Sequence, residues 1–241
     1  MNALARDIAG NLSDVKARIG AAARRAGREP GEVALIAVSK TFSANHVRAA
    51  HEAGQQDFGE NKVQEALQKI GETADIPLRW HLIGHLQSNK ARRAAVPFAC
   101  IHSIDSIDLL KRIDVAAAEG GANPDVLVQV DLAGEDTKFG APSAVARAVV
   151  DAALGCRAVR LAGLMLLPPW SEDQEQTRPW FVRMRNLRDE WIAGGVPRDA
   201  LRHLSMGMSH DFEAAIEEGA TIVRVGTAIF GKRTAAATPQ A

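Results

Sequence analysis

A single (β/α)8 TIM barrel is the fold class this sequence predicts. Eight strand-like runs are each followed by a helical segment, the length of 241 residues is close to the roughly 250 typical of that fold, and 46% hydrophobic content suffices for one large core. A doubly wound open sheet is the alternative with the same alternation. An extra N-terminal helix over residues 1–27 precedes the first strand. Its apolar residues Leu4, Ile8, Leu12, Val15 and Ile19 repeat on one helical face, and Gly27 closes it.

The first strand is VALIAVSKTF, residues 33–42. Val33, Ile36 and Val38 are β-branched, Pro30-Gly31 breaks the chain before it, and Ser43 opens the next helix. A strand of this kind is covered on both faces in a parallel sheet. Alternation puts Ala34, Ile36, Val38 and Lys40 on one face, with the amine at the carboxyl end. An apolar wall disfavours an ammonium and so favours the free amine that attacks aldehydes. The same pattern also suits a lysine whose stem crosses an apolar rim while its head reaches water.

The helix capped by Ser43 runs to about residue 53, where Gly54 ends it ahead of strand two at residues 55–58. The next helix opens at Gly59-Glu60-Asn61 and carries Val63, Leu67 and Ile70, so Asn61 stands on its first turn, just past the strand. Strands follow at 78–83, 99–102, 126–130 and 159–164. The helices between and after them start near Ser88, start at Ser106, carry Val145, Val149 and Ala153, and carry Trp180, Met184, Leu187 and Trp191. Pro179 either opens or bends the last of these. Residues 201–204 and 221–225 supply strands seven and eight. The small, polar stretch TAAATPQA, residues 234–241, is expected to be disordered, leaving 1–233 as one domain.

Lys plus Arg equals Asp plus Glu at 29 each, so no global field favours nucleic acid or an anionic membrane. No stretch approaches the roughly 20 apolar residues that span a bilayer. The amino terminus lacks a signal-peptide core, and Cys100 and Cys156 match no metal or redox spacing, which makes the cytoplasm the expected location. His81 and His85 in HLIGH lack the glutamate of a metalloprotease motif, so no metal site is expected and His81 is placed at the end of strand three.

In barrels the active site forms at the carboxyl ends of the strands, often with a phosphate held by the loops after strands seven and eight. Here those loops contain SMGMS, residues 205–209, whose Ser209 can cap the next helix, and Gly226-Thr227. A Gly-Thr step at a helix start offers N–H groups, a hydroxyl and a positive dipole end to a phosphate dianion, although the same pair also opens helices that bind nothing. Ile222, Arg224 and Gly226 share one face of strand eight. If that face is the barrel interior, Arg224 is a buried charge needing a carboxylate or a ligand.

The segments AVSKTF, FGENKVQEA, RWHLIGHLQSNK, GLMLLPP and LSMGMSHDFEAAIEEGATIVRVGTAIFGKR, in this order, closely resemble the pyridoxal phosphate homeostasis protein family. The resemblance runs from Val33 to Arg233. It implies a fold similar to the barrel domain of alanine racemase, a monomer, and pyridoxal 5′-phosphate (PLP) held as a Schiff base. Carried over residue by residue, it implies Lys40 as the lysine of that bond and Arg224 as partner of the pyridine nitrogen. Ser205, Gly226 and Thr227 would bind the phosphate, and Asn61 and His81 would lie near the ring. VDLAGEDTKFG departs from the family's commoner VNISGEESKSG and leaves the roles of Asp131, Lys138 and Phe139 open.

Two function classes follow. One is a carrier in intracellular PLP homeostasis, with apo forms of PLP enzymes as transient clients and at most weak racemase-like activity. The other is an amino-acid racemase, which needs acid and base groups on opposite faces of the substrate carbanion. In the racemases that the family resembles, the second group is a tyrosine from a separate domain. This chain has no tyrosine and is expected to lack that domain. An aldolase using Lys40 alone is a third reading.

Overall fold

The computed structural model describes residues 3–134 and 139–231. The expected disordered tail and Lys138 lie outside them.

The elements run in the order α1 (Ala3–Arg25), β1 (Ala34–Val38), α2 (Ala44–Glu52), β2 (Asp57–Glu60), α3 (Val63–Glu72), β3 (Arg79–Leu82), α4 (Ala91–Ala94), β4 (Cys100–Ile104), α5 (Ile107–Gly120) and β5 (Asp125–Asp131). Then come β6 (Ala141–Pro142), α6 (Ser143–Ala153), β7 (Arg160–Leu166), α7 (Gln174–Ala193), β8 (His203–Ser205), α8 (Phe212–Glu217), β9 (Ile222–Val225) and α9 (Thr227–Phe230). The strands are hydrogen-bonded in the order β4-β3-β2-β1-β9-β8-β7-β5, and β4 also pairs with β5. All of these pairings are parallel, so the sheet closes into an eight-stranded barrel and the open-sheet alternative is excluded. The two-residue β6 pairs with the end of β5, outside the ring.

Alternation along each strand separates two cores. From β1, Leu35 and Ala37 face the helices, whereas Ile36 joins Cys100, Leu127, Ala162, Met165 and Ile222 inside the barrel. Helix α1 buries Ile8, Leu12, Val15 and Ile19, the stripe read from the sequence, against α2, α8 and α9. Asn11 Nδ2 donates to Ile229 O at 2.9 Å, and Arg28 Nη1 donates to Ile216 O and Ala220 O. The extra helix thus straps the seam where the last strand meets the first.

Local chemistry sets the ends of other helices. Ser106 Oγ accepts from Leu109 N to cap α5, and Gly121 ends it at φ 65°. Asp173 caps α7, and Pro179 lies inside that helix rather than opening it.

Several boundaries differ from the expected ones. β1 stops at Val38, so Lys40 stands in the turn beyond the strand. Gly59 and Glu60 belong to β2, and α3 begins at Val63, because parallel pairing of β2 with β3 extends through Glu60 and Leu82. The helix expected from Ser88 is a 3-10 turn followed by the one-turn α4. Val145 on α6 is exposed, unlike Val149 and Ala153.

Because Leu12 is fully buried in the seam, Leu12→Ala is expected to cost about 2–5 kcal/mol of folding free energy. Urea denaturation should show a lower midpoint at unchanged slope; a change below about 0.5 kcal/mol would mean that α1 is not docked.

Candidate functional site

The carboxyl ends of the strands surround a cavity of about 680 Å³, within the usual range for a small-molecule site. Its wall includes Val38 and Lys40 after β1, Asn61 after β2, Ile83 and Gly84 after β3, and Leu167 and Pro168 after β7. Met208 and Ser209 come from the loop after β8, and Arg224, Gly226 and Thr227 complete the circuit.

Lys40 is placed by a clamp behind it. Buried Lys69, on α3, donates to Ser39 O at 2.7 Å, to Glu60 Oε1 at 2.6 Å and to Glu65 Oε1 at 2.8 Å. Ser39 Oγ donates to the same Glu60 oxygen at 2.7 Å, and Glu65 Oε1 accepts from Thr41 N. Both flanks of Lys40 are therefore tied to one ammonium. Burial raises the Glu60 carboxyl above its ordinary range, with Lys69 and Ser39 opposing the rise. Thr41 closes the turn at φ 71°, the one non-glycine in the left-handed region among the described residues.

Arg224 is almost completely buried and reaches the cavity from the barrel interior. Nη1 donates to Ser205 Oγ at 2.6 Å and Nη2 donates to Leu166 O at 3.0 Å. Burial pulls its pKa down to about 10, with Asp211 opposing that, so the side chain stays cationic at neutral pH. The two alternatives for this residue, a structural ion pair or a ligand contact, separate here: its hydrogen-bond partners are a hydroxyl and a carbonyl, not a carboxylate.

The turn at Gly226 is built by close approach. A Cβ there would sit 3.1 Å from Val38 O and 3.3 Å from Val38 Cβ, so a side chain would push on β1 directly beside the Lys40 turn. Gly226 N donates to Ser209 Oγ at 3.1 Å. Ser209 thus does not cap α8, whose N-cap is Asp211; it joins the two loops that form one end of the cavity. Ile229 N and Phe230 N close α9 onto Gly226 O, leaving the first amides of the turn without intrahelical acceptors.

Of the residues singled out from the sequence, Lys40, Asn61, Arg224, Gly226 and Thr227 line the cavity. His81 and Ser205 do not. Both lie in the layer behind Arg224, because β3 and β8 turn these side chains inward below the carboxyl rim: His81 bonds to Asp57 and His102, and Ser205 bonds to His102 and Arg224. Sequence reasoning missed the role of Ser209 as the tie to Gly226, and it missed His102 altogether. It also missed the cavity rim, where Phe139 stacks on His85 at 3.7 Å and Trp170 is 68% exposed. The signal for His102 was present, a titratable residue within the buried strand CIHSI, but which face it takes depends on register.

The family model described as alanine racemase, N-terminal domain, matches residues 10–234. The pyridoxal phosphate homeostasis protein of Pseudomonas aeruginosa is 45% identical over 226 residues, which cover 94% of this chain and 96% of that protein. This chain belongs to the pyridoxal phosphate homeostasis protein family. The Aquifex aeolicus member is 43% identical over 225 residues, covering 92% of this chain and 96% of its own. The solved structure of PipY from Synechococcus elongatus with PLP bound matches at a TM-score of 0.82 and 40% identity, covering 93% of this chain and all of that one. Alanine racemase from Corynebacterium glutamicum, at 17% identity and a TM-score of 0.72 over 97% of this chain and 63% of that one, shares the barrel fold.

In this family member the layer behind the cavity has a measurable pH signature. Burial alone would raise the Asp57 carboxyl, but hydrogen bonds from His81 and Arg79 outweigh it and hold the pKa at about 2, below its ordinary 3.8. A depressed carboxyl contributes stability that is complete above its unfolded value and lost as pH falls through its folded one. Asp57→Asn should therefore cost about 2 kcal/mol near neutral pH, and the gap from wild type in urea midpoints should close as pH approaches 2. A gap independent of pH would show that Asp57 is not held ionised by these partners.

Proposed function

We propose that this protein binds PLP in the cavity and serves intracellular PLP homeostasis, holding the cofactor on Lys40 without efficient turnover. The observation that carries this reading is the convergence of a lysine amine, a buried guanidinium and a Gly-Thr helix start on one cavity of about 680 Å³. The residues fit the group: among the described residues Arg224 has only neutral hydrogen-bond partners, and the close approach at Gly226 leaves a backbone cradle that a Cβ would disturb. Relatives at 45% and 43% identity bear the homeostasis name, and PipY has been solved with PLP.

When bound, the cofactor would supply an aldehyde for the Lys40 amine and an electron-accepting ring. The turn that Gly226 opens would hold the phosphate through the Thr227 amide and hydroxyl together with the Ser209 hydroxyl, which Gly226 N positions. Arg224 would face the ring nitrogen as a permanent cation and disfavour a proton there, which weakens the ring as an electron sink. Asn61 would sit at the cavity wall near the ring, while His81 and Ser205 would act from behind Arg224. In this reading the protein works as a cytoplasmic monomer with apo PLP enzymes as transient clients.

Lys40 is the expected attachment site. Reduction of the loaded protein with borohydride followed by peptide mass mapping should find the pyridoxyl group there; a main adduct on Lys62 or Lys138 would reject the assignment.

Turnover is expected to be slow because the chain has no tyrosine to serve the opposite face of a substrate. Loss of a positioned acid or base typically costs about 10²–10⁴-fold in rate. Incubating loaded protein with L-alanine in heavy water should give slow deuteration at Cα and little D-alanine. Rapid D-alanine formation, about 1–10³ per second, would favour the racemase, with the cavity-wall imidazoles of His85 and His210 as the groups to examine next.

A further inference from the structure

Behind the cavity, one line of polar groups crosses the barrel interior. Arg224 Nη1 donates to Ser205 Oγ at 2.6 Å, and Ser205 Oγ lies 2.9 Å from His102 Nδ1. His102 Nε2 lies 3.1 Å from His81 Nδ1, and His81 Nε2 lies 3.0 Å from Asp57 Oδ1. Asp57 also accepts from Arg79 Nε at 2.7 Å, near the opposite end of the barrel from the cavity. The five members of the line come from five strands, β2, β3, β4, β8 and β9, and His102 and Ser205 are fully buried.

Proton accounting gives this line one direction. Asp57 is ionised at neutral pH, so the His81 nitrogen facing it carries a proton. At the other end Ser205 Oγ accepts from Arg224, so its hydroxyl hydrogen points to His102 Nδ1, the ring proton of His102 sits on Nε2, and His81 Nδ1 accepts it. Burial holds the His102 pKa well below its ordinary value, which keeps that ring neutral and leaves Nδ1 to accept from the Ser205 hydroxyl. Ser205 Oγ turns its lone pairs to Arg224. Every link is satisfied, and none of these atoms is among the buried polar atoms without a partner. Reversal requires a second proton on His81 and would leave the Ser205 hydroxyl hydrogen without a place in the line.

We propose that Asp57, His81, His102 and Ser205 are positioning residues that act as one directed hydrogen-bond line, anchored on Asp57, to fix the guanidinium of Arg224 in the cavity wall. One edge of Arg224 is held by Ser205 and Leu166, which leaves its orientation toward the cavity determined by residues that never touch the ligand. Fixed networks of this kind restrict rotation more than their members do singly. The same cluster has a competing use, since ligand atoms of His81, Cys100 and His102 lie within 4.8 Å of one another. The hydrogen-bond line already engages both nitrogens of each ring, and burial raises the Cys100 thiol well above its ordinary value, so the structure favours the line over a metal ion.

The functional consequence rests on the proposed PLP site, but the line itself can be tested without PLP. Nitrogen-15 NMR of histidine-labelled protein at neutral pH should show His81 and His102 both neutral and both protonated at Nε2. A proton on His102 Nδ1, a doubly protonated ring, or coordination shifts of both histidines on adding one equivalent of zinc would each overturn it. The link to Arg224 is read from PLP affinity in a double-mutant cycle. Ser205→Ala and Asp57→Asn should each weaken PLP about tenfold, the equivalent of 1.4 kcal/mol, and Ser205→Thr, which keeps the hydroxyl, should restore binding. In an Arg224→Met background the effect of Asp57→Asn should vanish. An undiminished effect there would show that Asp57 acts through general stability and not through Arg224. Failure of wild-type protein to bind PLP would reject the cofactor reading while leaving the NMR result to judge the line.

Discussion

The site depends first on the register between β1 and β9. Ile36 pairs with Arg224 and Ala37 with Val225, which brings the first and last strands of the barrel side by side. With a side-chain period of two, the inward face that carries Ile36 reaches Val38 and the Lys40 turn, while the neighbouring inward face carries Arg224 and Gly226. A slip of one residue would send one of these sets out into the helix layer. Strapping by α1 therefore concerns the site as much as the core: it covers α2, α8 and α9, the helices that flank this seam.

Two buried cations are treated in opposite ways. Lys69 is saturated by Glu60, Glu65 and a backbone carbonyl, so its charge is spent on structure, and what it holds in place is the backbone on both sides of Lys40. Arg224 is given a hydroxyl and a carbonyl as hydrogen-bond partners, and its guanidinium also lines the cavity. Burying an ion without a counter-ion is destabilising. At Arg224 that cost is opposed by the carboxylate of buried Asp211, which lies near it without a hydrogen bond to it.

Much of this was legible in the sequence, for identifiable reasons. Apolar runs at the strand period and a helix-period stripe in α1 reflect burial, which composition records directly, so the alternation, the barrel and the delivery of Lys40 by the carboxyl end of the first strand could be read, but not that the strand stops at Val38 and leaves Lys40 in a turn. The Gly226-Thr227 turn was legible from its residue types. Register was not: it decides that Gly59 and Glu60 extend β2, that Ser205 and His81 lie behind the cavity, and that His102 meets them there. Ser209 was misassigned because a serine near a helix start reads as a cap, while tertiary approach of two loops gave it to Gly226 instead.

The turn at Thr41 has a consequence of its own. A β-branched residue held at φ 71° costs about 1–3 kcal/mol, and the clamp through Glu65 is what keeps it there. Glycine would relieve that cost, yet would also free the backbone next to Lys40. Stability and placement thus pull this position in different directions. Selection for heat resistance alone would loosen the turn that carries Lys40 into the cavity.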